Sequence, residues 1–298
     1  MKTFLLGFCL FAFPVSPLLA AEPIPLNKEE RIVLIGSTII EREQRYGHWE
    51  AALTAQFPDK NLKFRNFGWS ADTVWGESRA AFDSVDQGFK RLVEITLEWK
   101  PTTIIIDYGA NESVEGQKGL PKFEAQYGKL LDALAPAKAK IILVTPLILP
   151  HFSTPKDRYA QVALYADAVK KIANQRGTYL ADLRSWELER FAEYHKEGVK
   201  YPFTEEGTQF NDQGYRESAA FWQKQFAPAG SSIPQPSESL REAVAAKNEL
   251  VFHRWRPENE TYLFGFRKHE QGKNAKEVFE FDPLIDVAEK KIQEIKSK

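Results

Sequence analysis

Residues 31–41 read Arg-Ile-Val-Leu-Ile-Gly-Ser-Thr-Ile-Ile-Glu. Four apolar residues, Ile32, Val33, Leu34 and Ile35, run without interruption to Gly36, and two hydroxyl residues, Ser37 and Thr38, follow. A short apolar run with no polar residue on either face suits a strand buried on both sides, the environment of a parallel sheet. The residues after Gly36 then open a loop into a helix starting near Glu41. In an open parallel sheet ligands bind outside the carboxyl ends of the strands, where the strand order reverses. Ser37 and Thr38 stand at such an end.

Outward from this strand, periodicity alternates between strand and helix. Tyr46, Trp49, Leu53 and Phe57 recur at helical spacing, which predicts one helix over 42–57 that Pro58 and Asp59 stop. Residues 62–67 alternate as a second strand, and 66–73 form the loop after it. A helix over 89–99 ends at Lys100-Pro101. Residues 102–107 are another unbroken apolar strand, leading straight into Tyr108-Gly109-Ala110-Asn111-Glu112. Further helices are expected at 123–134, 159–176 and 186–195, and strands at 140–145 and 179–182. The last helix of the domain opens within 205–215 and runs to 226. This order calls for an α/β fold, a parallel sheet with right-handed crossovers and helices on both faces.

The chain begins with Lys2, an apolar run over 4–13, and Ala20-Ala21 before Glu22, the layout of a secretory leader cleaved near Ala21. That run is too short and too Pro-interrupted to span a bilayer. The expected divisions are a leader at 1–21, an α/β domain at 22–226, a Pro-, Gly- and Ser-rich linker at 227–239 and an extension at 240–298. The extension holds a helix near 240–249, a dense aromatic and basic segment at 251–270 and a charged helix from 284. It is too small for a core of its own and is expected to pack on the main domain. Cys9, the only cysteine, lies in the leader, so the exported chain has no disulfide. A formal charge of −1 argues against nucleic-acid and anionic-membrane partners. There is no His-x-x-x-His pair, cysteine cluster or calcium loop, and no second glycine follows Gly36 at dinucleotide-binding spacing, so neither metal nor cofactor is expected. The sequence leaves the oligomeric state open.

Four short blocks resemble the SGNH (GDSL-type) hydrolases. Gly36-Ser37-Thr38-Ile39 is similar to the family's Gly-Asp-Ser-Leu, with Ser37 at the Asp and Thr38 at the nucleophilic Ser. Ser70-Ala71-Asp72-Thr73 resembles Ser-Gly-Asp-Thr, whose Gly supplies a backbone oxyanion donor. Gly109-Ala110-Asn111-Glu112 resembles Gly-x-Asn-Asp, whose Asn side chain is another such donor. Glu206-Gly207-Thr208-Gln209 stands where the family has Asp-x-x-His. The resemblance implies a flavodoxin-like three-layer α/β/α sandwich with a five-stranded parallel sheet, and ester hydrolysis. It places Thr38 or Ser37, the Ala71 amide, Asn111, Glu206 and Gln209 at the catalytic positions.

The changes have chemical consequences. The Ala71 donor should survive the Gly-to-Ala change where its φ is negative and not where it is positive. Glu206 can orient a ring as Asp does, whereas the Gln209 amide cannot take a proton from a hydroxyl. The remaining histidines are His48, expected at the surface or a boundary; His195, expected in solvent; His151, in the loop after the fourth strand; and His253 and His269 in the extension. Trp69, Tyr108, His151, His253 and Arg256 are the candidates for substrate contact. Two readings follow: an exported hydrolase of small-molecule or glycan esters with a non-standard site, or a binding protein for a carbohydrate or acyl ligand that keeps the fold without the catalysis.

Overall fold

The structure, a computed structural model, describes residues 22–148, 155–196, 202–205 and 209–296. The apolar run at the start of the sequence motif becomes β1 (Arg31–Gly36), buried on both faces. It pairs in parallel with β2 (Lys63–Asn66) and β3 (Thr103–Asp107), and β4 (Lys140–Val144) and β5 (Tyr179–Ala181) continue the sheet in the order β2-β1-β3-β4-β5. Alternate β1 side chains enter two cores. Ile32 and Leu34 join Trp49, Tyr215 and Trp222 on one face, while Val33 and Ile35 join Phe123, Tyr127 and Val169 on the other. The five-stranded α/β/α sandwich is therefore present, with the flavodoxin-like order. The chain goes from β1 to β2 on one side and then crosses back to β3 on the other, so the exits of β1 and β3 form the switch point where a ligand crevice opens.

The expected helix over 42–57 is two helices, α1 (Thr38–Tyr46) and α2 (His48–Gln56). Gly47 divides them: its φ is +67°, and a Cβ there would lie 2.9 Å from Val244 Cγ1. The break is made by a helix crossing from more than 190 residues away, which no local periodicity reports. α3 (Val85–Glu98), α4 (Gly116–Leu134) and α5 (Lys156–Arg176) begin earlier than their apolar spacing indicates, because their first turns are largely polar and exposed, and α6 (Leu183–Lys196) begins earlier at Leu183, which packs into the core. The last helix does not open within 205–211. Thr204 and Glu205 (β6) pair antiparallel with Gln209 and Phe210 (β7), and α7 (Asp212–Phe226) starts after Asn211, whose side chain accepts from Gly214 N at 2.9 Å.

The C-terminal helices are α8 (Glu238–Trp255), α9 (Glu260–Leu263), α10 (Lys268–Gln271) and α11 (Phe281–Lys296). Ser237 caps α8, which extends through Phe252, His253 and Arg254. β2 ends the sheet, and α8 and α11 cover that edge with ion pairs rather than apolar contact alone. Lys247 Nζ, fully buried, bonds Glu50 Oε2 at 2.8 Å and the β2 carbonyl of Phe64 at 3.3 Å. Arg65 of β2 meets Glu289 of α11 at 2.7 Å, with its guanidinium 4.8 Å from the Trp99 ring centre. No helix among the described residues is long and apolar enough to cross a membrane.

Removing one member of a buried ion pair leaves the other uncompensated, at about 3–5 kcal/mol. Lys247→Met is therefore expected to lower unfolding stability by about that amount in a urea titration, and the double variant Lys247→Met/Glu50→Gln to recover most of it.

Candidate active site

Ser37 is the N-cap residue of α1 and Thr38 its first residue. Ser37 does not cap the helix with its side chain; its hydroxyl accepts instead from Asn111 Nδ2 at 2.7 Å, and its own N–H donates to the Asp107 carbonyl at 3.3 Å. The first amides of α1 thus point toward the crevice with no hydroxyl cap from Ser37, at the positive end of a helix. Ser37 is buried, whereas Thr38 is half-buried and open to a ligand. Thr38 Oγ1 accepts from the Ala71 N–H at 3.1 Å.

That last bond corrects an expectation. The φ of Ala71 is +60°, the sign for which the donor was expected to be lost, yet the amide still faces Thr38. A left-handed residue with a side chain costs roughly 1–2 kcal/mol. The loop accepts that cost because its neighbours hold it rigidly. Buried Asp72 accepts from Arg79 Nε at 2.7 Å, from Tyr108 OH at 3.0 Å and from Ser78 N at 3.2 Å. The Asp72 carbonyl takes the second N–H of Asn111 at 2.7 Å. Glu112 then links this loop to the one after β3, accepting from Val74 N at 2.7 Å and Gly109 N at 2.8 Å. Asn111, Thr38, Ser37 and Ala71 are thereby brought together, as the order of the blocks implies.

The other candidates are distributed differently. Tyr108 is no stacking surface: its ring is buried, and burial beside Asp72 pushes its hydroxyl well above the ordinary tyrosine range. Trp69 is held by two cations, with the Arg256 guanidinium 3.8 Å and that of Arg79 5.5 Å from its ring centre. Arg256 also bonds Glu41 Oε1 at 3.0 Å, one helical turn from Thr38, and Glu41 Oε2 accepts from the Ser70 hydroxyl. Gln209 sits in β7 opposite Glu205, which is ion-paired with Arg42. His253 lies between the rings of Phe252 and Phe281. His48 is buried rather than superficial, 2.9 Å from Asp212 Oδ1. Glu206 and His151 lie outside the described residues. Among those described, no imidazole nitrogen hydrogen-bonds Thr38 or Ser37, and no group of acids, His or Cys is arranged to hold a metal ion.

Sequence reasoning did not single out Glu41, Asp72, Glu112 or Asp107. Glu41 was detectable only from its spacing of three residues after Thr38, which places both on one helix face. A cavity of about 390 Å³ beside Asn111, lined in part by Trp75, Glu112, Lys118 and Lys122, leaves room for a substrate group.

The profile of the GDSL-like lipase/acylhydrolase family matches residues 34–217, which spans every element of this site up to α7. The chain belongs to that family. Solved structures with the same fold include the acetyl xylan esterase AlAXEase (TM-score 0.55, 17% identity, covering 66% of this chain and 100% of that one). Axe2, an acetylxylan esterase from Geobacillus stearothermophilus, is similar with a TM-score of 0.53 and 19% identity, covering 71% of this chain and 99% of its own. LAE5, an alpha/beta hydrolase from the metagenome of Lake Arreo, Spain, gives 0.52 and 19%, covering 68% and 99%. At such identities the likeness concerns the fold. No curated protein sequence matches the chain. Within this GDSL-type domain lie Gly36, Ala71 and Asn111; α8 to α11 lie beyond the family match.

Two buried acids underlie the site. Burial pushes Asp107 to about 7, with the charge of Glu112 adding to the rise, and burial pushes Glu112 to about 7 as well. Both values are raised, so the folded protein holds protons that the unfolded chain releases between the ordinary carboxylate range and about 7. Stability is therefore greatest below that interval and falls as pH rises through it. Asp107→Asn is expected to flatten this decline in melting temperature measured across the same pH interval.

Proposed function

We propose that this protein is an exported ester hydrolase acting on an acylated carbohydrate, with Thr38 as nucleophile. The observation that carries the reading is the pair of N–H donors, Ala71 N and Asn111 Nδ2, that converge on the two hydroxyls at the β1 exit. Thr38 is chosen over Ser37 because it is the more open and stands first in α1. Its Oγ1 bonds to the ester carbonyl carbon as its proton leaves to solvent; the ester C–O bond breaks, the leaving alkoxide takes a proton from solvent, and water then attacks the acyl-threonine, releasing the carboxylic acid and restoring the Thr38 hydroxyl. Oxyanion charge is met by the Ala71 amide and by an Asn111 N–H turned from Ser37. Such a donor is worth roughly 2.7–4 kcal/mol in acyl transfer. With an amide at Gln209, turnover draws on the oxyanion donors and binding, a residual of about 10³–10⁴ over water in serine hydrolases. A carbohydrate substrate is supported by the acetyl xylan esterases that share the fold.

A second reading, a ligand-binding protein on the same fold, is favoured by one observation. Asn111 Nδ2 uses both of its N–H groups on protein acceptors, Ser37 Oγ and Asp72 O. The readings separate with p-nitrophenyl acetate. The hydrolase is expected to turn it over slowly, to lose about 100-fold or more in Asn111→Ala, and to lose in Thr38→Ala both the fluorophosphonate label on that residue and the part of its rate that passes through the acyl-threonine. A wild-type rate equal to that of Thr38→Ala, with no fluorophosphonate label on Thr38, leaves the binding protein.

Export rests on Lys2, the apolar run and Ala20-Ala21. Expression with the native leader in a secreting host is expected to yield a chain whose intact mass begins at Glu22.

A further inference from the structure

A cleft of about 300 Å³ opens between the loop carrying Trp69 and Phe82, helix α3, and the stretch joining α8 to α10. Its wall from the extension holds Trp255, Phe264 and Phe266, none of which lies within the family match. Phe82, Phe264 and Phe266 are 76%, 50% and 68% exposed, and Phe82 meets Phe266 edge-on at 5.5 Å, so the two walls touch through rings that neither core buries. Large rings left in water around one concavity mark a binding surface.

The charges decide what fits. Both guanidiniums in the cleft are already paired: Arg79 bonds Asp72 and the Phe67 carbonyl, and Arg91 bonds Asp83 and the carbonyls of Arg79 and Ala80. Glu98 and Glu260 form no ion pair among the described residues. The groups left for a ligand are therefore aromatic faces and carboxylate acceptors. An anion would meet those carboxylates with no unpaired cation to offset them, and a small cation would pair with the carboxylates while leaving the Phe82–Phe266 wall uncovered. A neutral sugar suits both surfaces, its C–H faces against the rings and its hydroxyls donating to the carboxylates.

We propose that this cleft binds a neutral oligosaccharide and leads it to Thr38, an inference that rests on an acylated carbohydrate being the substrate. Trp69, in the cleft wall, is the residue that adjoins the site. The Trp69 N–H donates to the Gly36 carbonyl at 3.0 Å, immediately before Ser37, while Arg256 touches both the Trp69 ring and Glu41. The extension thus supplies the wall that selects the glycan, and the family domain supplies the reacting hydroxyl.

The test is calorimetric titration of the full chain with unacetylated xylotetraose and cellotetraose, with spermidine and polygalacturonate as charged probes. At least one neutral oligosaccharide is expected to bind, and to bind Thr38→Ala as well as wild type. Phe82→Ala/Phe266→Ala is expected to weaken it by roughly tenfold, on the order of 1.4 kcal/mol. Both rings are exposed, so the fold should persist, as an unchanged melting temperature would show; if it falls, Phe264→Ala alone is read in the same way. Absence of neutral-sugar binding, tighter binding of a charged probe, or undiminished affinity in the ring variants overturns the proposal. Sugar binding without ester turnover would remove the hydrolase and leave the cleft; ester turnover without sugar binding would do the reverse.

Discussion

The site depends on how closely β1 approaches β3 at Gly36. A Cβ on that residue would lie 2.6 Å from the Asp107 carbonyl and 2.8 Å from Ile40 Cγ1, contacts that no side chain can make. Without a side chain there, the strand exits come close enough for the Ser37 amide to reach Asp107 and for Asn111 to reach the Ser37 hydroxyl. The approach of two backbones thus sets the distance between the hydroxyls and the amide donors.

Around that contact the protein keeps a rigid frame. Asp72, Arg79 and Tyr108 form a buried network under the Ala71 turn, and Glu112 ties the same turn to the β3 loop through two backbone amides. The low dielectric that strengthens such bonds also raises Asp107 and Glu112 toward neutrality. Ala71 shows the strength of the frame. It occupies a backbone conformation suited to glycine, and its amide still points at Thr38 because the flanking bonds outweigh the local cost.

The C-terminal helices belong to this frame rather than trailing from it. They cover the β2 edge through Lys247 and Glu289, break the first helical run at Gly47, and send Arg256 onto Trp69 and Glu41. An extension that closes an open sheet edge also gains a position beside the strand exits, because the edge strand and the crevice lie next to each other in the order β2-β1-β3.

Much of the architecture was legible in the chain. Unbroken runs such as Ile32 to Ile35 and Ile104 to Ile106 specify buried parallel strands by hydrophobicity alone, and Asn111 was marked by the resemblance of its block to the family's Gly-x-Asn-Asp. These features are local, since each is decided within a few residues by burial and backbone preference. The division at Gly47, the hairpin of β6 and β7, the burial of Tyr108 and His48, and the contact of Arg256 with Glu41 were not legible. Apart from that hairpin, whose strands pair Thr204 with Phe210, each depends on a partner tens to hundreds of residues away, whose position is set only when both cores have packed. Sequence by itself determined which strands form the sheet and where its exits lie; tertiary packing decided which side chains reach those exits, because an ion pair or a ring contact has no periodicity along the chain.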